Sequence, residues 1–211
     1  MTVLAEKAPS LGIEEILWNG GVCRIAGIDE AGRGAWAGPV VAAAVILDRQ
    51  RVADLAPCVF DSKLLTAKAR TEAAVVIRRE AVAVGVGVIP VDVIDRAGLA
   101  FAGQLAFWRA VKDLASSPEF LLVDGFPLWS EEIPQAAILQ GDRRSLSIAA
   151  ASIIAKVTRD SFMTASGREF PAYGFGRHKG YGSAAHASAL TEHGPSPLHR
   201  RSFKPVAARG T

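Results

Sequence analysis

The sequence predicts an α/β domain with a mixed central β-sheet flanked by helices. Three observations carry that expectation. Short apolar runs rich in β-branched residues recur along the 211 residues, each bounded by glycine, proline or charge. Segments with helical spacing alternate with the later runs. Half of the residues are hydrophobic and 21% are charged, the composition of a chain that can bury a full core.

Residues 1–20 read as a leader, in which 13–18 form an amphipathic turn or two before Asn19-Gly20-Gly21 breaks them. Strands follow at 24–28 and 40–47, with Asp61-Ser62-Lys63 in a loop. Thr66 caps a helix that runs to about Glu80, and 81–89 is a third strand ended by Pro90. Residues 91–94 and 99–115 are helical, 120–123 and 136–139 are strands, and 147–163 is a long helix. A glycine-rich loop at 171–182 carries Arg177-His178-Lys179, and 183–193 is a final helix. The expected organisation is a core at 21–165, a C-terminal helical extension at 166–203 and a mobile tail at 204–211.

The longest apolar runs, 40–47 and 81–89, fall well short of the roughly 20 residues of a membrane span, so no membrane partner is expected. The N-terminus lacks the basic-then-apolar pattern of a secretory leader. Cys23 and Cys58 fit no zinc or redox spacing, which suits free thiols in a cytoplasmic protein. Residues 1–140 carry 13 basic and 17 acidic side chains, a balance of −4. Residues 141–211 carry 11 basic and 4 acidic, a balance of +7, and a basic final third suits a polyanion.

Asp29–Glu30, Asp124 and Asp142 each close an expected strand. In open α/β sheets such ends converge on the site. Four carboxylates brought together repel one another unless cations neutralise them, and hard oxygen donors select Mg²⁺ or Mn²⁺. Two ions about 4 Å apart could activate water and stabilise the leaving oxygen of a phosphodiester. Ser145, Ser152, Lys156 and Arg159 fall on one stripe of the long helix, suited to phosphates. His186, His193 and the four tryptophans read as packing or surface groups. A binding module without catalysis and a DNA nuclease of the same fold class stay open on these residues alone.

The motifs Gly27-Ile-Asp-Glu-Ala-Gly-Arg-Gly-x-x-Ala-Gly-Pro-Val40, Asp61-Ser-Lys63, Val123-Asp-Gly125, Gly141-Asp-x-x-Ser-x-Ser-Ile148, His178-Lys-Gly-Tyr181 and His199-Arg-x-Ser-Phe203 stand in this order. Together they resemble the motif set of ribonuclease HII, which cuts RNA within RNA–DNA hybrids. The resemblance implies a ribonuclease H-like fold whose C-terminal extension forms the substrate groove. It implies that Asp29, Glu30, Asp124 and Asp142 bind the metal ions and carry catalysis. Gly32, Arg33 and Gly34 would contact the 2′-hydroxyls at a ribonucleotide–deoxyribonucleotide junction, and Tyr181 would stack on the following deoxyribose. Lys63, Ser145, Lys156 and Arg159 would hold phosphates. The implied partner is a hybrid or a DNA duplex with an embedded ribonucleotide, cut by a monomer. No Gln-x-x-Leu-x-x-Phe-Phe sliding-clamp motif is present in the tail. Ala35 and Gly182-Ser183 depart from the family's more usual residues.

Overall fold

Five strands form one sheet in the computed structural model, which describes residues 9–59, 65–130 and 132–209. They are β1 (Ile25–Ala31), β2 (Val40–Ile46), β3 (Ala83–Ile89), β4 (Phe120–Asp124) and β5 (Gln135–Ile138), in the order β3-β2-β1-β4-β5. β1, β2 and β3 make an antiparallel meander, whereas β1, β4 and β5 run parallel. The parallel set delivers three strand ends to the same edge of the sheet. The helices are α1 (Gly12–Asn19), α2 (Val52–Leu55), α3 (Ala67–Glu80), α4 (Val91–Ala97), α5 (Leu99–Lys112), α6 (Leu146–Glu169), α7 (Phe175–His178), α8 (Ala184–His193) and α9 (Lys204–Ala207). None of the helices among the described residues is long and apolar enough to cross a membrane.

Glycine lets helices lie directly on the sheet. α5 covers one face over Gly85 and Gly87, where a Cβ would come within 2.1 and 2.0 Å of the Ala110 and Ala106 carbonyl oxygens. α6 covers the other face over Gly27, where a Cβ would lie 2.1 Å from the Ser147 carbonyl carbon. Ile28, Ile46, Phe107 and Val123 pack on the α5 side, and Ile25, Val45, Leu122 and Ile153 on the α6 side.

Several expectations are corrected. α6 was expected to be amphipathic, yet every residue from 146 to 155 is buried, because the sheet and the helices around it enclose it on all sides. Its buried serines therefore need partners. Ser145 and Ser147 donate their hydroxyls to Glu14 Oε1 at 2.6 and 2.7 Å, and the Ser147 N–H donates to the same oxygen at 2.9 Å. Through these bonds and buried Trp18, α1 belongs to the core rather than to a leader. α6 also runs six residues past its expected end, so residue 165 lies inside a helix. The tail differs as well: Lys204–Ala207 is helical, with Val206 buried.

A methyl group at Gly27 has nowhere to go. Gly27→Ala should cost at least about 1–3 kcal/mol by forcing α6 off β1, read as a lower denaturant midpoint. An unchanged midpoint would show that this contact does not constrain the fold.

Candidate active site

Asp29 and Glu30 lie within β1 rather than beyond its end, because the ladder to β2 continues past them, with Ala43 opposite Asp29 and Ala42 opposite Glu30. Strand alternation sends the two side chains to opposite faces. Asp29 turns toward α6, is 5% exposed and hydrogen-bonds to Ser152. Its Oδ1 also accepts the Glu30 N–H at 2.7 Å. Glu30 has the Arg33 guanidinium 3.5 Å from its Oε1. Asp124 ends β4, and its Oδ1 accepts the Gly141 N–H at 2.7 Å. That bond ties the turn Gly141–Arg143, with its buried Asp142, to the β4 end.

A cavity of about 400 Å³ opens here. Asp29, Glu30 and Asp124 line it, with Gly32-Arg33-Gly34, Lys156 and Tyr181 around them. Asp142 stands outside that lining. Among the described residues, no three His, Cys, Asp or Glu side chains are already arranged as a metal cage. Burial, then the charges of Glu30 and Asp124, hold the Asp29 carboxyl well above the ordinary carboxylate range. Oxygen donors that resist ionising together fit a hard divalent cation, whose charge would remove the repulsion.

The residues expected to contact substrate divide. Lys156 lines the cavity, and its Nζ donates to Asp160 at 2.7 Å. The Tyr181 ring lies over two cations, 5.5 Å from Lys156 Nζ and 5.1 Å from Arg159 Cζ. Arg159 and Ser145 do not face the cavity, which corrects their assignment as phosphate contacts. Ser145 is fully buried beneath α1 and caps α6, its Oγ accepting the Ile148 N–H at 3.3 Å. Arg159, fully buried, donates to the carbonyls of Pro39 and Ala37, each at 3.0 Å. Lys63 lies outside the described residues.

Sequence reasoning missed Arg200. Its buried guanidinium donates to the carbonyls of Gly32 at 2.7 Å, Arg33 at 2.8 Å and Gly38 at 2.8 and 3.0 Å. Burial and the Arg159 charge pull its pKa down to about 9, so it stays protonated at neutral pH. Arg159 and Arg200 together fix the loop between β1 and β2. Gly32, at φ +94°, is required there, since a Cβ would meet Arg159 Nε at 2.0 Å. The two departures are accommodated. Ser183 caps α8, its Oγ accepting the His186 N–H at 3.1 Å, and Ala35 is buried.

His186 and His199 are buried and share a hydrogen bond of 2.9 Å between their Nε2 atoms. His193 remains a partly exposed group on α8, 3.8 Å from Glu192.

The ribonuclease HII family model matches residues 26–206. Ribonuclease HII of Chloroflexus aurantiacus is 52% identical over 200 residues, covering 94% of each chain. The crystal structure of ribonuclease H2 from Pyrococcus horikoshii shares the fold, with a TM-score of 0.74 at 24% identity over 89% of this chain and 97% of that one. Bst-RNase HIII in complex with Mn²⁺ has a TM-score of 0.67 at 22% identity, over 88% of this chain and 68% of that one.

Burial, then the charges of His186 and His178, hold His199 down to about 4. Its unfolded form titrates near 6.5. Between those values the unfolded chain binds the extra proton, so stability is full above about pH 6.5 and falls progressively toward pH 4. Denaturant midpoints across that range should show the decline, and His199→Asn should flatten it. An equally steep decline in the variant would assign the acid sensitivity elsewhere.

Proposed function

The chain belongs to the ribonuclease HII family, and from that premise we propose that the cavity at the ends of β1 and β4 is where it cuts its substrate. The chain is an endoribonuclease acting on the RNA strand of RNA–DNA hybrids, including 5′ of single ribonucleotides embedded in duplex DNA. The observation that supports this location is the Asp29 carboxyl, held out of its ordinary range by burial and by Glu30 and Asp124. A group in that condition inside a cleft is suited to a functional site.

In this reading Asp29, Glu30 and Asp124 hold divalent cations, joined by Asp142 from the turn bonded to Asp124. Two ions are proposed, Mg²⁺ or Mn²⁺; the latter is bound in Bst-RNase HIII. Bound cations would supply the charge that lets the carboxyls ionise together and would acidify the attacking water, the products being a 3′-hydroxyl and a 5′-phosphate. The chain itself does the orienting. Ser152 fixes the Asp29 carboxyl, and the Gly141 N–H fixes Asp124. Gly32 and Gly34 let the backbone come close to a 2′-hydroxyl, with Arg33 beside Glu30. Lys156 offers a cation to a phosphate, and Tyr181 an aromatic face to the sugar that follows. The segment at 166–203 carries Tyr181 and serves as the substrate-binding extension.

A duplex with one ribonucleotide should be nicked in Mg²⁺ or Mn²⁺ and left intact in EDTA. Asp124→Asn should keep its circular dichroism spectrum and its hybrid binding while losing roughly 100-fold or more in turnover. Near-normal turnover would mean that these carboxyls are not the ligands.

A further inference from the structure

We propose that His186 and His199 are positioning residues that set the Tyr181 turn, so that the His199-Arg200 pair registers both sugar-reading elements at once. This rests on the proposed role of Tyr181. The hydrogen-bond chain has a single polarity. The Ser196 N–H can only donate, and it points at His199 Nδ1 from 2.9 Å. His199 Nδ1 is therefore bare, and in the neutral ring its proton sits on Nε2. That proton is donated to His186 Nε2 at 2.9 Å, which places the His186 proton on Nδ1. The Tyr181 carbonyl, able only to accept, takes it at 2.9 Å. Both ends demand the same tautomers, and both rings must be neutral.

The neighbours leave the turn little choice. His178 stacks on His186 at 4.4 Å, and Trp36 lies 5.3 Å from it on the other element. The charged groups near the turn include Lys156 and Arg159 beneath the Tyr181 ring, Lys179 on the turn itself, Arg200, and Arg209 over the Trp36 ring. A Cβ on Gly182 would lie 2.3 Å from Trp36 Cε2, so the turn sits on the loop that follows Gly34. His199 reaches the Tyr181 carbonyl through His186. Arg200, the next residue, grips the carbonyls of Gly32 and Arg33. One dipeptide thus fixes the distance between the element that meets the 2′-hydroxyl and the ring that meets the next sugar. Burial lowers the pKa of both histidines, which keeps the chain neutral and intact.

The test compares cleavage of a duplex carrying one ribonucleotide with cleavage of a continuous RNA–DNA hybrid. Tyr181→Ala should lower that ratio about tenfold, and His186→Leu should lower it in the same direction by a few-fold or more. His186→Asn, whose amide can donate where Nδ1 did, should restore most of the ratio, which a general packing role would not do. If His186→Leu fails to fold, His199→Asn carries the test, since it keeps an acceptor for Ser196 and cuts the bond to His186. A fallen ratio in Tyr181→Ala with an unchanged ratio in the folded histidine variants overturns the inference and leaves the Tyr181 role standing. An unchanged ratio in Tyr181→Ala itself removes both.

Discussion

The close approach of α6 to Gly27 is the constraint on which the rest of the structure depends. Because β1 offers no side chain there, the helix backbone rests on the strand, and every later turn of α6 follows the course of β1 and its loop. Ser152 then meets Asp29, and Lys156 reaches the cavity. Arg159 lies under Gly32, and Met163 lies under Gly38, where a Cβ would be 2.2 Å from its sulfur. These four residues recur every three or four positions, the spacing of one helix face. The strand that carries Asp29 and Glu30, the loop after it and the Tyr181 turn are thus all set by a single long helix.

Charge is handled by two different devices. Two buried arginines are held by carbonyl dipoles rather than by carboxylates, and the planar fork of Arg200 suits three such carbonyls in a way that a lysine ammonium does not. A buried cation is costly, and the carbonyls that take the Arg200 donors and two of the Arg159 nitrogens offset part of that cost. They also make the loop rigid. The acids across the cavity stay mutually repelling, which is a poor arrangement for stability and a good one for receiving a cation.

The strands and the acids were legible because their signals are local. Apolar runs bounded by glycine or charge mark β1, β2 and β4, and each acid stands at a short distance from such a run. Local signals failed where tertiary approach decides. Ser145 and Arg159 share a stripe with Lys156, but only Lys156 faces the cavity, because α1 covers Ser145 and the carbonyls of Ala37 and Pro39 claim Arg159. The position of Asp29 and Glu30 within β1 depends on β2 pairing, which extends the strand past its apolar run. The buried His186–His199 bond joins residues from two segments with no shared periodicity, so no spacing rule could have found it.

The central claim is that these carboxyls are a cation site and that the Asp29 carboxyl, held above the ordinary carboxylate range, gives up its proton when the cation arrives. Calorimetric titration with Mn²⁺ at mildly acidic pH, in buffers of different ionisation enthalpy, tests it most directly. Cation binding should expel protons, because a ligand carboxyl must ionise to coordinate, and Asp29→Asn should lose most of both the proton release and the affinity. Undiminished binding and proton release in Asp29→Asn, or no binding by the wild-type protein, would contradict the account.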